Sequence, residues 1–195
     1  MKRLSVATTV AVFMALFLNG VAEAAQESWY IYFGLGASYS SYPAEVEKTL
    51  DSVKDASADD IPLCVDLFGV YWPLPGRPRS LVGFVINGAA ENREKDGKSA
   101  EVTSYFTGMS SMHFFGPEAG AGFFIRADIG AAWYEVNSSE VPSYESSQGY
   151  GALVGGGYGI RAGEGARILL NVNYALRHAD GDNLGTLGVS VGCLF

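Results

Sequence analysis

The chain has 195 residues, enough for one domain of ordinary size. Hydrophobic residues make up 48% of it and charged residues 17%, a balance too apolar for a disordered chain. The formal net charge of −8 speaks against nucleic-acid binding, which needs basic patches.

The chain opens with a positive n-region, Lys2 and Arg3, followed by an apolar stretch from Leu4 to Leu18 that Asn19 and Gly20 interrupt. Ala22-Glu23-Ala24 then places small residues where a signal peptidase reads them. Residues 1–25 are expected to be a cleaved secretory signal and 26–195 the mature domain. The run is shorter than the roughly 20 residues a spanning helix needs. Residues 26–195 hold 20 acidic and 11 basic side chains, a net charge of −9. Two cysteines, Cys64 and Cys193, are too few for a disulfide framework. They are expected at opposite ends of the barrel, too far apart to bridge, and therefore free.

Eight segments of the mature chain carry period-two patterning, the mark of a strand with two unlike faces. In 29–40, Trp29, Ile31, Phe33, Leu35 and Tyr39 share one face and Gly34, Gly36, Ser38 and Ser40 the other. In 61–72, Leu63, Val65, Leu67 and Tyr71 alternate with Asp66. In 80–91, Val82, Phe84 and Ile86 oppose Gly83 and Asn87. The segment 101–115 is less regular, with Thr103, Thr107, Ser111 and His113 against Phe106, Met112 and Phe114. In 121–135, Phe123, Ile125, Ala127, Ile129, Ala131 and Trp133 form an unbroken apolar face opposite Arg126, Asp128 and glycines. In 149–161, Tyr150, Ala152, Val154, Tyr158 and Ile160 oppose Gly151, Gly155, Gly157, Gly159 and Arg161. In 166–178, Ile168, Leu170, Val172, Tyr174 and Leu176 oppose Asn171, Asn173 and Arg177. In 184–195, Leu187, Val189, Val191, Cys193 and Phe195 oppose Thr186, Gly188, Ser190 and Gly192.

These strands exceed the usual five or six residues and approach what a tilted membrane strand requires. Their polar faces are rich in glycine and small residues, which suits a crowded interior. Aromatics gather near strand ends (Trp29, Tyr39, Tyr71, Trp72, Trp133, Tyr134, Tyr150), as in the interfacial girdles of membrane barrels. A sheet in lipid must close on itself. The expected fold is all-β: a closed, eight-stranded, antiparallel up-and-down transmembrane barrel with oily side chains outward. Connections at 41–60, 92–100 and 136–148 are expected to be the longer outer loops. Those at 73–79, 116–120 and 162–165 are expected to be short periplasmic turns, while 179–183 is short and uninformative.

The inward face offers Asp66, Arg126, Asp128 and Arg177. An eight-stranded barrel is filled by side chains, so these charges fit an interior salt-bridge network better than a gated ion path. Within 41–60, PAEVEKTLDSVKDA reads as a short helix: Pro43 suits its first turn, Glu45 and Glu47 its positive end, and Val46, Leu50 and Val53 share one face. It would cap the barrel mouth, or else bind a partner or gate the lumen. The outer loops are acidic, with Asp55, Asp59, Asp60, Glu140 and Glu145. Asp180 and Asp182 in Asp180-Gly181-Asp182-Asn183 are a weak candidate cation site, though the same residues are good turn formers. No cofactor or resident metal is expected.

The chain ends on Phe195, with Cys193, Val191, Val189 and Leu187 at alternate positions before it. With the leader and Phe124-Ile125-Arg126-Ala127-Asp128-Ile129-Gly130-Ala131-Ala132-Trp133-Tyr134, this resembles the small bacterial OmpA/OmpX-type and OmpW-like barrels, the porin-family proteins, over roughly 29–195. The resemblance implies export to the outer membrane of a Gram-negative cell. Insertion would follow the periplasmic chaperone and barrel-assembly route, with Phe195 as part of the assembly signal. Lipid and lipopolysaccharide would be the surroundings, and the protein a monomer without nucleic acid. It is specific for architecture and weak for activity. A non-enzymatic surface protein is the first expectation, and a small passive channel for ions or hydrophobic solutes, as in OmpW-like barrels, the second. A lipid A-modifying enzyme is remote. His178 is similar to the lipid A deacylase pattern in which a His precedes a Ser by two residues, but Asp180 stands there and the nucleophile is missing. His113 has Ser110 and Ser111 nearby without an evident triad.

Overall fold

A computed structural model describes residues 28–52, 62–163 and 165–195. The expected signal, Val53 and the loop acids Asp55, Asp59 and Asp60 lie outside the described residues. The elements are β1 (Tyr30–Ser41), α1 (Ala44–Ser52), β2 (Leu63–Leu74), β3 (Arg77–Lys95), β4 (Lys98–Phe114), β5 (Gly122–Ser138), β6 (Tyr144–Glu145), β7 (Gly149–Arg161), β8 (Arg167–Ala179) and β9 (Asp182–Leu194). Every pairing is antiparallel and joins neighbours in the order β4-β3-β2-β1-β9-β8-β7-β5. A β4–β5 pairing closes the ring of eight staves. β6 is a two-residue addition to the outer end of β5. At the seam, Phe195 exchanges both main-chain hydrogen bonds with Ile31 (3.0 and 2.9 Å), so the final residue extends the β1–β9 ladder.

The alternation sets two faces. Phe84, Met109, Phe123, Ile125, Ile129, Val172 and Val189 are exposed around the outside, while Tyr32, Asp66, Asn87, Arg126, Asp128 and Arg177 are buried within. Two aromatics break from expectation. Tyr71 points inward because β2 bulges: Tyr32 pairs with Gly69 and Gly34 with Asp66, so Leu67 and Phe68 together oppose Phe33. The extra residue turns Leu67 and Phe68 both outward and shifts the parity of everything after them. Tyr134 is also interior rather than part of a girdle, being next to outward Trp133 on β5. On β4 the apolar set is the inner one. Phe106, Met112 and Phe114 fill the lumen, and Thr103, Thr107, Ser111 and His113 face out.

The lumen has room for such rings because facing positions are glycine. A Cβ on Gly151 would sit 3.0 Å from the Phe106 ring and 3.2 Å from Ala132. Large side chains over bare backbone is how a small barrel packs its centre.

The segment 92–100 is not a long loop. β3 and β4 run on to a two-residue turn at Asp96 (φ 51°) and Gly97 (φ 77°). Asp180 (φ 53°) and Gly181 (φ 86°) join β8 to β9 in the same way. Paired positive φ values match strand twist, and Asp-Gly adopts them at little cost. Two of the four connections at the α1 end are thus tight hairpins: the one at 179–183 is short as expected, while the one at 92–100 is not the longer outer loop expected there. Instead, β3, β4 and β5 themselves extend beyond the other staves.

Candidate functional site

The interior is layered. At the end where β1 starts and β9 finishes, Tyr32, Tyr71, Leu81, Met112, Phe114 and Phe124 pack with Leu169 and Leu194. Above them, Arg126 of β5 is clamped between two carboxylates. Its Nη1 and Nη2 donate to Asp66 Oδ2 and Oδ1 at 3.0 and 2.8 Å; its Nε and Nη2 donate to Asp128 at 2.7 to 3.0 Å. Tyr32 donates to Asp66 (3.1 Å) and accepts from Asn171 Nδ2 (3.1 Å). Tyr71 donates to Ser110 (2.8 Å), which donates to Asp128 (2.5 Å). The guanidinium also lies 5.4 Å from the Tyr32 ring centre. One connected network therefore ties β8, β1, β2, β5 and β4 across the barrel axis. Bidentate geometry on both sides makes these charge-assisted bonds strong.

Arg177 stands apart from that clamp. It donates to Thr186 Oγ1 (3.2 Å) and Asn87 Oδ1 (3.1 Å), both neutral. Its Nε and the Asn87 Nδ2 have no hydrogen-bond partner in the described structure. A cavity of about 20 Å³ lies beside it, with Asp66, Asn87, Cys64 and Asn173 among its lining, which is room for about one water-sized species. The clamp carries two carboxylates and one guanidinium, so Arg177 brings this group of four to neutrality without touching either acid; Glu91 and Arg167 are a further buried acid and base. Sequence alternation put all four on one face; it could not say that they divide three to one.

The next layer is Val85, Phe106 and Ala132. Helix α1 then closes the mouth, seating Val46 and Leu50 on Ala100, Val102, Tyr134, Val136, Ala179 and Leu184. Arg93 holds the helix electrostatically, meeting Asp51 at 2.9 Å and Glu91 at 2.7 Å.

The turn carboxylate of Asp180 accepts hydrogen bonds from the Tyr144 and Ser147 hydroxyls and from the Ser147 N–H. It staples the 139–148 connection to the β8–β9 turn. Asp182 is exposed at the start of β9, and among the described residues no three metal-type ligands converge. These donors hold the Asp180 carboxyl below its ordinary value. A depressed folded pKa means the staple is fully present above the unfolded pKa of about 3.9 and fades as pH falls through the lower folded value. Cleavage within 139–148 in limited proteolysis should therefore rise in Asp180→Ala at neutral pH. The wild type should show the same rise only under strong acid, read with an acid-active protease.

His113 Nδ1 lies 2.8 Å from Ser80 Oγ rather than against Ser110, which belongs to the interior network, or Ser111. His178 Nδ1 meets Asn183 Oδ1 at 3.0 Å. Both cysteines are free, Cys64 near the α1 end of the barrel and Cys193 near the opposite end. Leu187, Val189, Val191 and Cys193 lie on the outer face of β9.

A closed sheet that carries a broad band of exposed apolar side chains around its outside, with the Arg126 clamp paired within, has that apolar surface where lipid can cover it. Among solved structures, Neisserial surface protein A (NspA) aligns with a TM-score of 0.55 at 9% identity, over 86% of this chain and 96% of that one. The attachment invasion locus protein Ail of Yersinia pestis aligns with a TM-score of 0.50 at 11% identity, over 87% and 99%. The fold is that of the small eight-stranded outer-membrane barrels. A second Ail structure, in complex with the heparin analogue sucrose octasulfate, aligns with a TM-score of 0.51 at 12% identity, over 87% of this chain and 100% of that one. No family model and no curated protein matches the sequence.

Proposed function

We propose that this chain is a non-enzymatic surface protein of the bacterial outer membrane, a stable barrel whose α1 end presents an acidic rim to the exterior. The filled lumen supports this over a channel: an aromatic floor, the Arg126 clamp, the Phe106 layer and the α1 lid stack along the axis. The rim carries Glu94, Glu101, Glu140, Glu145 and Asp180. Lipopolysaccharide sugars, with divalent cations between the carboxylates and lipid phosphates, are the surroundings this charge favours. A polyanion of the kind bound in the Ail complex would be repelled. The C-terminal strand ending in Phe195 is the segment that periplasmic chaperones and the barrel-assembly machinery would read, and the monomer is the working state.

The rival is a small passive channel. Single-channel recording of the refolded protein in planar bilayers separates the two. The surface reading expects a flat baseline at all voltages that the bilayer tolerates. Reproducible unitary steps from the wild type would instead establish conduction.

A further inference from the structure

We propose that the end of the barrel opposite α1 carries a site for the phosphate of one anionic phospholipid headgroup, formed by Arg77, Arg79, Ser80 and His113. The proposal rests on the membrane-spanning reading above. It places this short-turn end at the periplasmic leaflet.

The site follows from strand register. β3 starts at Arg77 directly after the turn at Gly76, and Ser80 pairs with His113 across the β3–β4 ladder. Both side chains leave the sheet on its outer face, where their hydrogen bond (2.8 Å) fixes the imidazole. The Phe115 ring packs against that imidazole nearly perpendicular to it, with ring centroids 4.9 Å apart. Arg79 is steadied by one bond from Nη1 to the Gly116 carbonyl (3.2 Å). Gly76, Arg77, Pro78, Arg79, Ser80 and His113 line a cleft of about 350 Å³.

Two features select an anionic lipid. The first is charge. Among the described residues neither Arg77 nor Arg79 meets a carboxylate within ion-pair reach, and Glu118 at the same end points to Arg161 (3.6 Å) and Arg167 (3.8 Å) instead. Two unpaired guanidiniums beside a hydroxyl and an imidazole are a donor set for phosphate oxygens. This is also a cationic rim on a chain whose other end is acidic. The second is continuity with lipid. His113 pairs with Ile125, and the outward rows that follow are Val82, Ser111 and Ala127, then Phe84, Met109 and Ile129. An acyl chain lying on that oily wall brings its headgroup to the cleft.

Native mass spectrometry on the full-length mature barrel, released from detergent, tests the site. The probes are phosphatidylglycerol, phosphatidylcholine and inorganic phosphate, with folding of each variant checked by heat-modifiable gel migration. The wild type should retain one phosphatidylglycerol several-fold more than phosphatidylcholine, undisturbed by millimolar inorganic phosphate. The Arg77→Ala/Arg79→Ala variant should fall to the phosphatidylcholine level, and Arg161→Ala on the same rim should not. Equal retention by the double variant would refute the site. So would loss in Arg161→Ala as large as in the double variant, which would mean diffuse rim charge. Displacement by inorganic phosphate would make the ligand a soluble anion. A chain that never folds in detergent would instead count against the membrane reading itself.

Discussion

Arg126→Met should destabilise the barrel by about 3–5 kcal/mol, the range for removing one partner of a buried ion pair. The loss exceeds that of a single contact because of what stays behind. Asp66 and Asp128 would face each other across the lumen, both buried, the first deprived of two hydrogen bonds and the second of three. Ser110 and Tyr32 still donate to them, but neutral donors do not offset two like charges. Arg177→Met is the control within the same lumen. It removes a cation that meets only the neutral Thr186 and Asn87; the desolvation penalty of that buried charge offsets the bonds it donates, so the change should cost no more than about 1 kcal/mol. Urea unfolding of the refolded variants, followed by tryptophan fluorescence, reads both. Two equal effects would mean that the clamp and Arg177 act as one unit.

On the outside, Ile129→Arg should cost about 2–4 kcal/mol, the penalty for a cation near mid-membrane on a barrel's lipid face. Ile129 is 70% exposed, so in a water-soluble protein the same change would be nearly free. Asn137→Arg, eight residues further along the same face of β5, lies past the stacked Tyr105–Trp133 pair that marks the interface. It should leave stability unchanged. The contrast between the two positions in one urea series carries the prediction, since neither side chain packs in the core.

How well the sequence disclosed this structure varied by element, for physical reasons. β5 was legible from Phe123 to Trp133, because lipid demands apolar residues at every second position and the lumen tolerates Arg126 and Asp128 at the others. α1 was legible from Pro43 and the spacing of Val46 and Leu50. β2 misled because a bulge shifts parity without leaving a mark in composition, which is why Tyr71 was put on the wrong face. The outer ends of β3 and β4, residues 92–95 and 98–100, were missed because they stand beyond the membrane. Asn92, Glu94 and Ser99 need not be apolar there, so the period disappears. Asp96-Gly97 was the available signal, a two-residue hairpin turn in the midst of charge. The acids and the arginine of the clamp were visible by alternation. Their hydroxyl partners Tyr32, Tyr71 and Ser110 and the amide of Asn171 were not, since these meet only through the register of strands distant in sequence. The Ser80–His113 contact was hidden in the same way, its members being 33 positions apart in the sequence.

The orientation of the two faces is tested most directly by spin-label accessibility on a cysteine-free background in bilayers. Labels at Ile129→Cys, Val172→Cys and Val189→Cys should relax readily with dissolved oxygen and be shielded from a water-soluble nickel chelate, while Glu101→Cys should show the reverse. Free access of the chelate to Ile129, Val172 and Val189 would mean that these side chains lie in water, and the barrel would not be a membrane one.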